Sequence, residues 1–274
     1  MIEYGRRDGI EFWFDSKLHQ AGLVHAFLGR SVDFRQRPAA TAAVCAAFGA
    51  ANLSLLKQTH STICHQRSAG WPNVPEGDGW TIEISGEFSG ERSGSADKPP
   101  LYGVLTADCL PVIVWVDSSA GNSGPAQCAV LHCGWRGAVG GLLEQTLQKL
   151  DPAGSAKTTV VIGPGASGCC FEIGAEVLDQ FETARNRCRK NGGPSNNESA
   201  IVIKRDGKFF AEIKSLLVNQ ARAFGVSPSN IRVSPVCTIC DTRFFSFRRE
   251  KEAAGRQLTF IARTLLKAPV FPGS

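Results

Sequence analysis

Charge is sparse in this chain. Only 20% of its 274 residues are charged, and the formal net charge is +5. No basic run and no aromatic–basic stripe stands out, so the footprint of a nucleic-acid binder is missing, although small anionic ligands remain compatible. Long apolar runs are missing too. The longest strictly apolar stretch covers residues 110–116, far short of the ~20 residues that span a bilayer, so no membrane association is expected. The opening segment MIEYGRRDGIEFWFD has no apolar secretory core, and a cytoplasmic location is the expectation. There is no internal repeat, no P-loop lysine, no GxGxxG order and no H-x-E pairing of the kind zinc deaminases use. Ten cysteines are present. In a reducing compartment most of them would act as small buried hydrophobes, with a few doing chemistry.

What the chain does have is core material, 43% hydrophobic residues. Short β-branched runs predict strands at 101–106, 112–117, 127–131, 158–162 and 201–204. The loop at 118–125 could close an antiparallel pair between the second and third of these. Helical stripes run through Val139, Leu142, Leu143, Leu147 and Leu150, and through Ile213, Leu216, Leu217, Gln220 and Phe224, with Gly225 as a stop. Val177, Leu178 and Phe181 mark a third helix, and residues 39–48 a fourth. Segments 85–100 and 189–200, rich in Gly, Ser, Pro and Asn, read as surface loops. Strands and helices mix without strict alternation. The expectation is one α+β domain over residues 1–274, with layered sheets and helices outside.

Three dispersed residues stand out as ligands: His60 in LLKQTHST (55–62), Cys109 in LTADCLPVIVWVD (105–117) and His132 in AVLHCGWRGAVGG (129–141). They lie too far apart for a zinc finger but suit a pocket that leaves a fourth metal position open. Cys109 should sit at a strand end or sharp bend, and His132 should directly follow a strand. A helix starting near Ala138 would aim its N-terminus at the same place, and Arg136 would add a bidentate cation for phosphate or carboxylate. The alternative for each residue alone is ordinary: a core cysteine or a hydrogen-bonded structural histidine. That ordinary reading is preferred for His25 and His65, and His19 has no supporting context. Cys237-Thr238-Ile239-Cys240 has the spacing of a redox pair or half a zinc knuckle. No second CxxC completes it, and the adjacent Cys169-Cys170 lack that spacing, so all four are expected to be structural. A glycine loop at 163–165 precedes a helix, a weak phosphate signal on its own. Phe244–Arg249 could stack a planar base beside arginines or form an edge strand.

Taken together, KQTHS (57–61), LTADCLPVI (105–113), LHCGWRG (131–137), IGPGASGCCFEIG (162–174) and FFSFRRE with GRQLTFIA (244–262) resemble one family. It is that of the YfiH or laccase-domain proteins, also described as multicopper polyphenol oxidase-like and as purine nucleoside phosphorylases. The resemblance implies a mixed α/β domain with sheets sandwiched between helices, akin to cysteine hydrolases. It implies that His60, Cys109 and His132 bind zinc and form the active site, and that Arg136, Ser246 and Arg248 lie at the substrate pocket. The implied activity is phosphorolysis of adenosine, inosine and methylthioadenosine, with some adenosine deamination, in a monomer or homodimer. Purine nucleoside and phosphate are then the partners. Zinc is preferred to copper, because five histidines are too few for a multi-copper set. The chain departs from the family at HAFLGRSVDF (25–34), at Cys133, where alanine is usual, and at EGDGW (76–80), which only loosely matches A-D-A-x-x-T. Two other readings compete. One is a cysteine hydrolase using Cys109 that removes wrong amino acids from cell-wall precursors; the other is a non-catalytic metal-binding protein.

Overall fold

The computed structural model describes residues 1–66, 74–84, 87–88, 98–117, 125–152, 158–193 and 200–266. Two sheets face each other. The first contains β1 (Ile2–Arg7), β2 (Ile10–Asp15), β3 (Leu23–Leu28), β4 (Leu53–Ser54), β7 (Glu87–Phe88), β8 (Leu101–Thr106) and β16 (Gln257–Leu266). Its main order is β1-β2-β3-β16-β8-β4, with β7 added alongside β16. The second contains β5 (Cys64–Gln66), β6 (Gly79–Glu83), β9 (Leu110–Val116), β10 (Gln127–Cys133), β11 (Thr158–Ile162) and β15 (Ile231–Val233), in the order β15-β11-β9-β10-β6-β5. A small third sheet joins β12 (Glu172–Ile173), β14 (Lys208–Ala211) and β13 (Val202–Arg205). Both large sheets are mixed: β4–β8, β7–β16, β5–β6 and β11–β15 run parallel, and the other pairs antiparallel.

The helices are α1 (Ser16–Gln20), α2 (Arg37–Ala47), α3 (Trp135–Gly140), α4 (Leu142–Leu150), α5 (Ala175–Lys190), α6 (Ile213–Ala223) and α7 (Phe247–Glu250). Strand periodicity sorts the layers, because alternate side chains face opposite sides. Along β9, Leu110, Val112 and Val114 pack with Leu143, Leu147, Phe181 and Leu216 from α4, α5 and α6. Ile113 and Trp115 point the other way, into a core shared with Phe27, Tyr102, Val104 and Ile261 of the first sheet. The outer face of that sheet packs Leu101, Leu258 and Phe260 against Ala40, Val44 and Ala47 of α2. The result is helix, sheet, sheet, helices, the expected mixed α/β sandwich. No helix among the described residues is long and apolar enough to cross a membrane.

Several local expectations need correcting. β9 starts at Leu110 and β10 runs on to Cys133, so His132 lies within a strand instead of after it. The stripe from Val139 to Leu150 is two helices. They meet at Gly141, whose φ of +87° is open to glycine but strained for other residues. The first of them begins at Trp135, not near Ala138. Residues 189 and 190 still belong to α5. Most of the loop segments 85–100, 118–125 and 189–200 falls outside the described residues.

Candidate active site and metal centre

The chain crosses from the first sheet to the second at two places, and both crossings carry chemistry. The β4-to-β5 link holds His60 and the β8-to-β9 turn holds Cys109. His132 shares the parity of Cys128 and Val130 on β10, the face toward the inter-sheet core, and the register pairs it with Pro111. Ligand atoms of His60, Cys109 and His132 all lie within 4.8 Å of one another. Cys109 Sγ is 3.9 Å from His60 Nε2, and the two imidazole rings meet edge to face with centroids 4.9 Å apart.

Sequence reasoning missed the residue that organises this cluster. Asp78, fully buried just before β6, accepts hydrogen bonds from the backbone N–H of His60 (3.0 Å) and of Ser61 (2.6 Å), and from the Ser61 hydroxyl (2.7 Å). His132 Nδ1 lies 2.8 Å from the same carboxylate, and the His132 amide donates to the Asp78 carbonyl. Burial alone would raise the Asp78 carboxyl, but His132 and Ser61 hold it well below the usual range. The loose match at EGDGW was the available signal.

Two further devices fix the loops. Gln58 mimics a strand partner for Leu105: its amide nitrogen donates to the Leu105 carbonyl, and its oxygen accepts from the Leu105 amide, both at 2.7 Å. His60 then adopts φ +60°, and Asp108 φ +94°. Such strain persists where the surroundings over-determine it. The Asp108 carboxylate accepts from Thr238 Oγ1 (2.8 Å), Ser246 Oγ (3.0 Å) and the Arg248 amide (2.7 Å). Gly134 is required by close approach, since a Cβ there would lie 2.8 Å from the His60 ring and 3.1 Å from Cys109 Sγ.

Electrostatically the thiol and imidazole act as a pair. Burial would raise the Cys109 thiol, yet His132 and His60 bring it down to about 6. Burial would lower His132, yet the Cys109 sulfur and Asp78 push it up to about 9. The cluster opens onto a cavity of about 480 Å³ lined by Arg37, Thr106, Phe247 and Arg256 as well as His60, Cys109 and His132. The Thr106 hydroxyl on that wall is buried and has no hydrogen-bond partner among the described residues.

The other expected pocket residues lie elsewhere. Arg136 stacks over Trp135 at 4.3 Å and lines a separate cleft with Asp179 and Thr183. The first turn of α3 carries it away from His132 despite their nearness in sequence. Ser246 is fully buried and caps α7 while bonding Asp108. Arg248 gives its amide to Asp108 and its guanidinium to the Glu172 carbonyl. Both serve Asp108 rather than the cavity wall. Arg37 and Arg256, on that wall, belong to segments not singled out for them.

The four cysteines expected to be structural are also together: sulfurs of Cys169, Cys170, Cys237 and Cys240 lie within 4.8 Å of one another. Spacing could not show this, because each pair sits in its own turn, some 70 residues apart in sequence.

Comparison with known proteins follows this geometry. The family described as multi-copper polyphenol oxidoreductase laccase matches residues 35–264. A purine nucleoside phosphorylase of Clostridium acetobutylicum is 29% identical over 221 residues, 79% of each chain. An adenosine deaminase from an unknown prokaryotic organism is 36% identical over 168 residues, 60% of this chain and 58% of that one. In structure, the hypothetical protein YfiH of Bacillus licheniformis superposes with a TM-score of 0.72 at 18% identity, covering 92% of this chain and 96% of the other.

Proposed function

The chain belongs to the multi-copper polyphenol oxidoreductase laccase family, that of the YfiH or laccase-domain proteins, and from that premise we propose that it is a zinc-dependent purine nucleoside phosphorylase with adenosine deamination as a side activity. Adenosine, inosine and methylthioadenosine are its substrates. One observation carries the reading: two imidazoles and a thiol converge within 4.8 Å on the wall of a cavity that also offers Phe247, Arg37 and Arg256. The names of the relatives support the substrate class.

The donor set fits a borderline-soft ion, with His60, Cys109 and His132 as ligands and a carboxylate behind one histidine, as metal-binding histidines usually have. When bound, zinc supplies Lewis acidity beside the substrate. The protein's own groups do the rest. Phe247, partly exposed on the cavity wall, gives the purine a stacking surface, and Arg256 lies over its ring. Arg37 and Arg256 hold phosphate, whose oxygen attacks C1′ of the ribose; the electron pair of the broken glycosidic bond leaves with the purine. The Thr106 hydroxyl is free to bond a substrate oxygen or nitrogen. The test is purine release from adenosine by purified, metal-analysed protein. Phosphate-dependent adenine release with zinc near one per active site supports the reading, and release indifferent to phosphate would sink it.

A second reading is favoured by the order Asp78–His132–Cys109: a carboxylate on Nδ1, an imidazole, and a thiol held near 6. That is the sequence of orienting acid, base and nucleophile in a cysteine hydrolase, here acting on amino-acid-bearing cell-wall precursors. Activity lost to a thiol alkylator but untouched by a chelator would select it.

A further inference from the structure

Cys169, Cys170, Cys237 and Cys240 lie outside the cavity that holds His60 and Cys109. Each pair occupies a tight turn. In one, the Cys170 and Phe171 amides donate to the Ser167 carbonyl; in the other, the Cys240 and Asp241 amides donate to the Cys237 carbonyl. The turns are joined where Gly165 bridges Cys237 and the Thr238 amide donates to the Gly165 carbonyl. The Sγ–Sγ distances are 3.1 Å for Cys170–Cys240 and 3.7 Å for Cys169–Cys240. No disulfide joins them. Four sulfurs around one zinc at about 2.3 Å each would stand about 3.8 Å apart. The cluster is therefore of the size a single tetrahedral ion would gather with small side-chain rotations.

Two further features suit an anionic metal–thiolate centre. Lys214 is almost completely buried, and its ammonium donates to Ser167 Oγ (2.8 Å) and the Val236 carbonyl (2.7 Å), one at the head of each cysteine turn. Both acceptors are neutral, and a buried cation needs an anion nearby. Glu212 meets part of that need, and sulfur anions at Cys237 and Cys169 would meet more. Finally, the Arg249 guanidinium donates to the carbonyls of Thr238 and Ile239, the two inner residues of the Cys-x-x-Cys turn.

We propose that Cys169, Cys170, Cys237 and Cys240 form a second metal centre, a closed structural tetrathiolate site for zinc. The four thiols lose four protons on binding, leaving a centre of charge −2 that Lys214 offsets. With all four positions taken by protein, the site offers nothing to a substrate and acts on shape. It ties the 167–170 turn to the 237–240 turn. Thr238 in the latter holds Asp108, the residue before Cys109.

The experiment counts metal in purified, reduced protein reconstituted with Zn(II) and, separately, with Co(II). The unaltered chain should bind two zinc equivalents. Cys109→Ala with His60→Ala should keep one, and its cobalt form should show the charge-transfer and ligand-field absorption of tetrahedral cobalt bound by thiolates. Adding Cys170→Ser and Cys240→Ser should remove that equivalent. The cobalt spectrum in the first background needs no change in the cluster, so misfolding of the serine variants would not obscure the result. A Cys109/His60 variant that binds no zinc overturns the proposal, as does zinc retained after both serine changes. So does iron in place of zinc, or a Cys170–Cys240 disulfide that binds no zinc once reduced. Because the two centres are removed separately, an empty first site with a filled second would refute the zinc enzyme alone.

Discussion

His25 and His132 are both strand residues with almost no exposed surface, 1% and 3%, yet their surroundings drive them apart. His25, in β3, uses each ring nitrogen as a neutral imidazole does. Nδ1 donates to the Leu23 carbonyl and Nε2 accepts the Asp15 amide, both at 2.9 Å. Nothing there outweighs desolvation, and burial presses the group down to about 4. His132 is desolvated just as thoroughly, but the Cys109 sulfur and the Asp78 carboxylate raise it to about 9. Equal burial therefore has opposite results, and what sets His132 apart is an anionic partner on each side and a cavity within reach.

The most severe way to break this contrast is to remove the sulfur. Cys109→Ala should lower turnover by at least about a thousandfold, as expected when a central catalytic group is lost, with an unchanged far-ultraviolet circular dichroism spectrum. Full activity in that variant would rule out the shared site.

Next comes acid stability. The folded value of His25, about 4, lies below its ordinary 6.5, so between those pH values the unfolded chain binds the extra proton. Its contribution is complete above pH 6.5 and is lost as the pH falls to about 4, by about 3 kcal/mol in total. Urea unfolding at pH 7 and pH 4.5 should show a smaller loss for His25→Gln than for the parent chain; equal losses would refute the assignment.

Asp78→Asn sharpens the other side. It keeps the shape but removes the charge behind His132 and should weaken metal binding by about ten- to a hundredfold, measured by competition with a chromogenic chelator. The gentlest change is Gly134→Ala. Its Cβ would press on the His60 ring and Cys109 Sγ at 2.8 and 3.1 Å, and turnover should fall several-fold while the melting temperature holds. A variant as active as the parent would show that the ligand loops tolerate displacement.

Much of this arrangement was legible beforehand, for reasons that differ by residue. The apolar runs that became β8, β9, β10 and β11 announce themselves because strands buried on both faces need continuous hydrophobic sequence. That placed Cys109 at a strand end or bend and His132 just past a strand, whereas β10 runs on through His132 and pairs it with Pro111 of β9. Asp78 was hidden because EGDGW has no periodicity, and half of its carboxylate's partners are backbone amides, which carry no signature in sequence. Arg136 shows the opposite case: four residues from His132 in the chain, it is turned by α3 toward another cleft. The four cysteines were unreadable because their meeting depends on tertiary contact between two turns, joined at Gly165 and Cys237.

β16 carries a consequence of another kind. Residues 257–266 fill the slot between β3 and β8 in the first sheet. As the chain leaves the ribosome, His60, Cys109 and His132 emerge long before this strand does. Until it arrives, β3 and β8 each present an unpaired hydrophobic edge, the kind of edge through which chains aggregate. Yield of soluble protein should therefore respond to events late in translation. A pause just upstream of residue 257 prolongs the time in which two strand edges and reactive thiols stand open together.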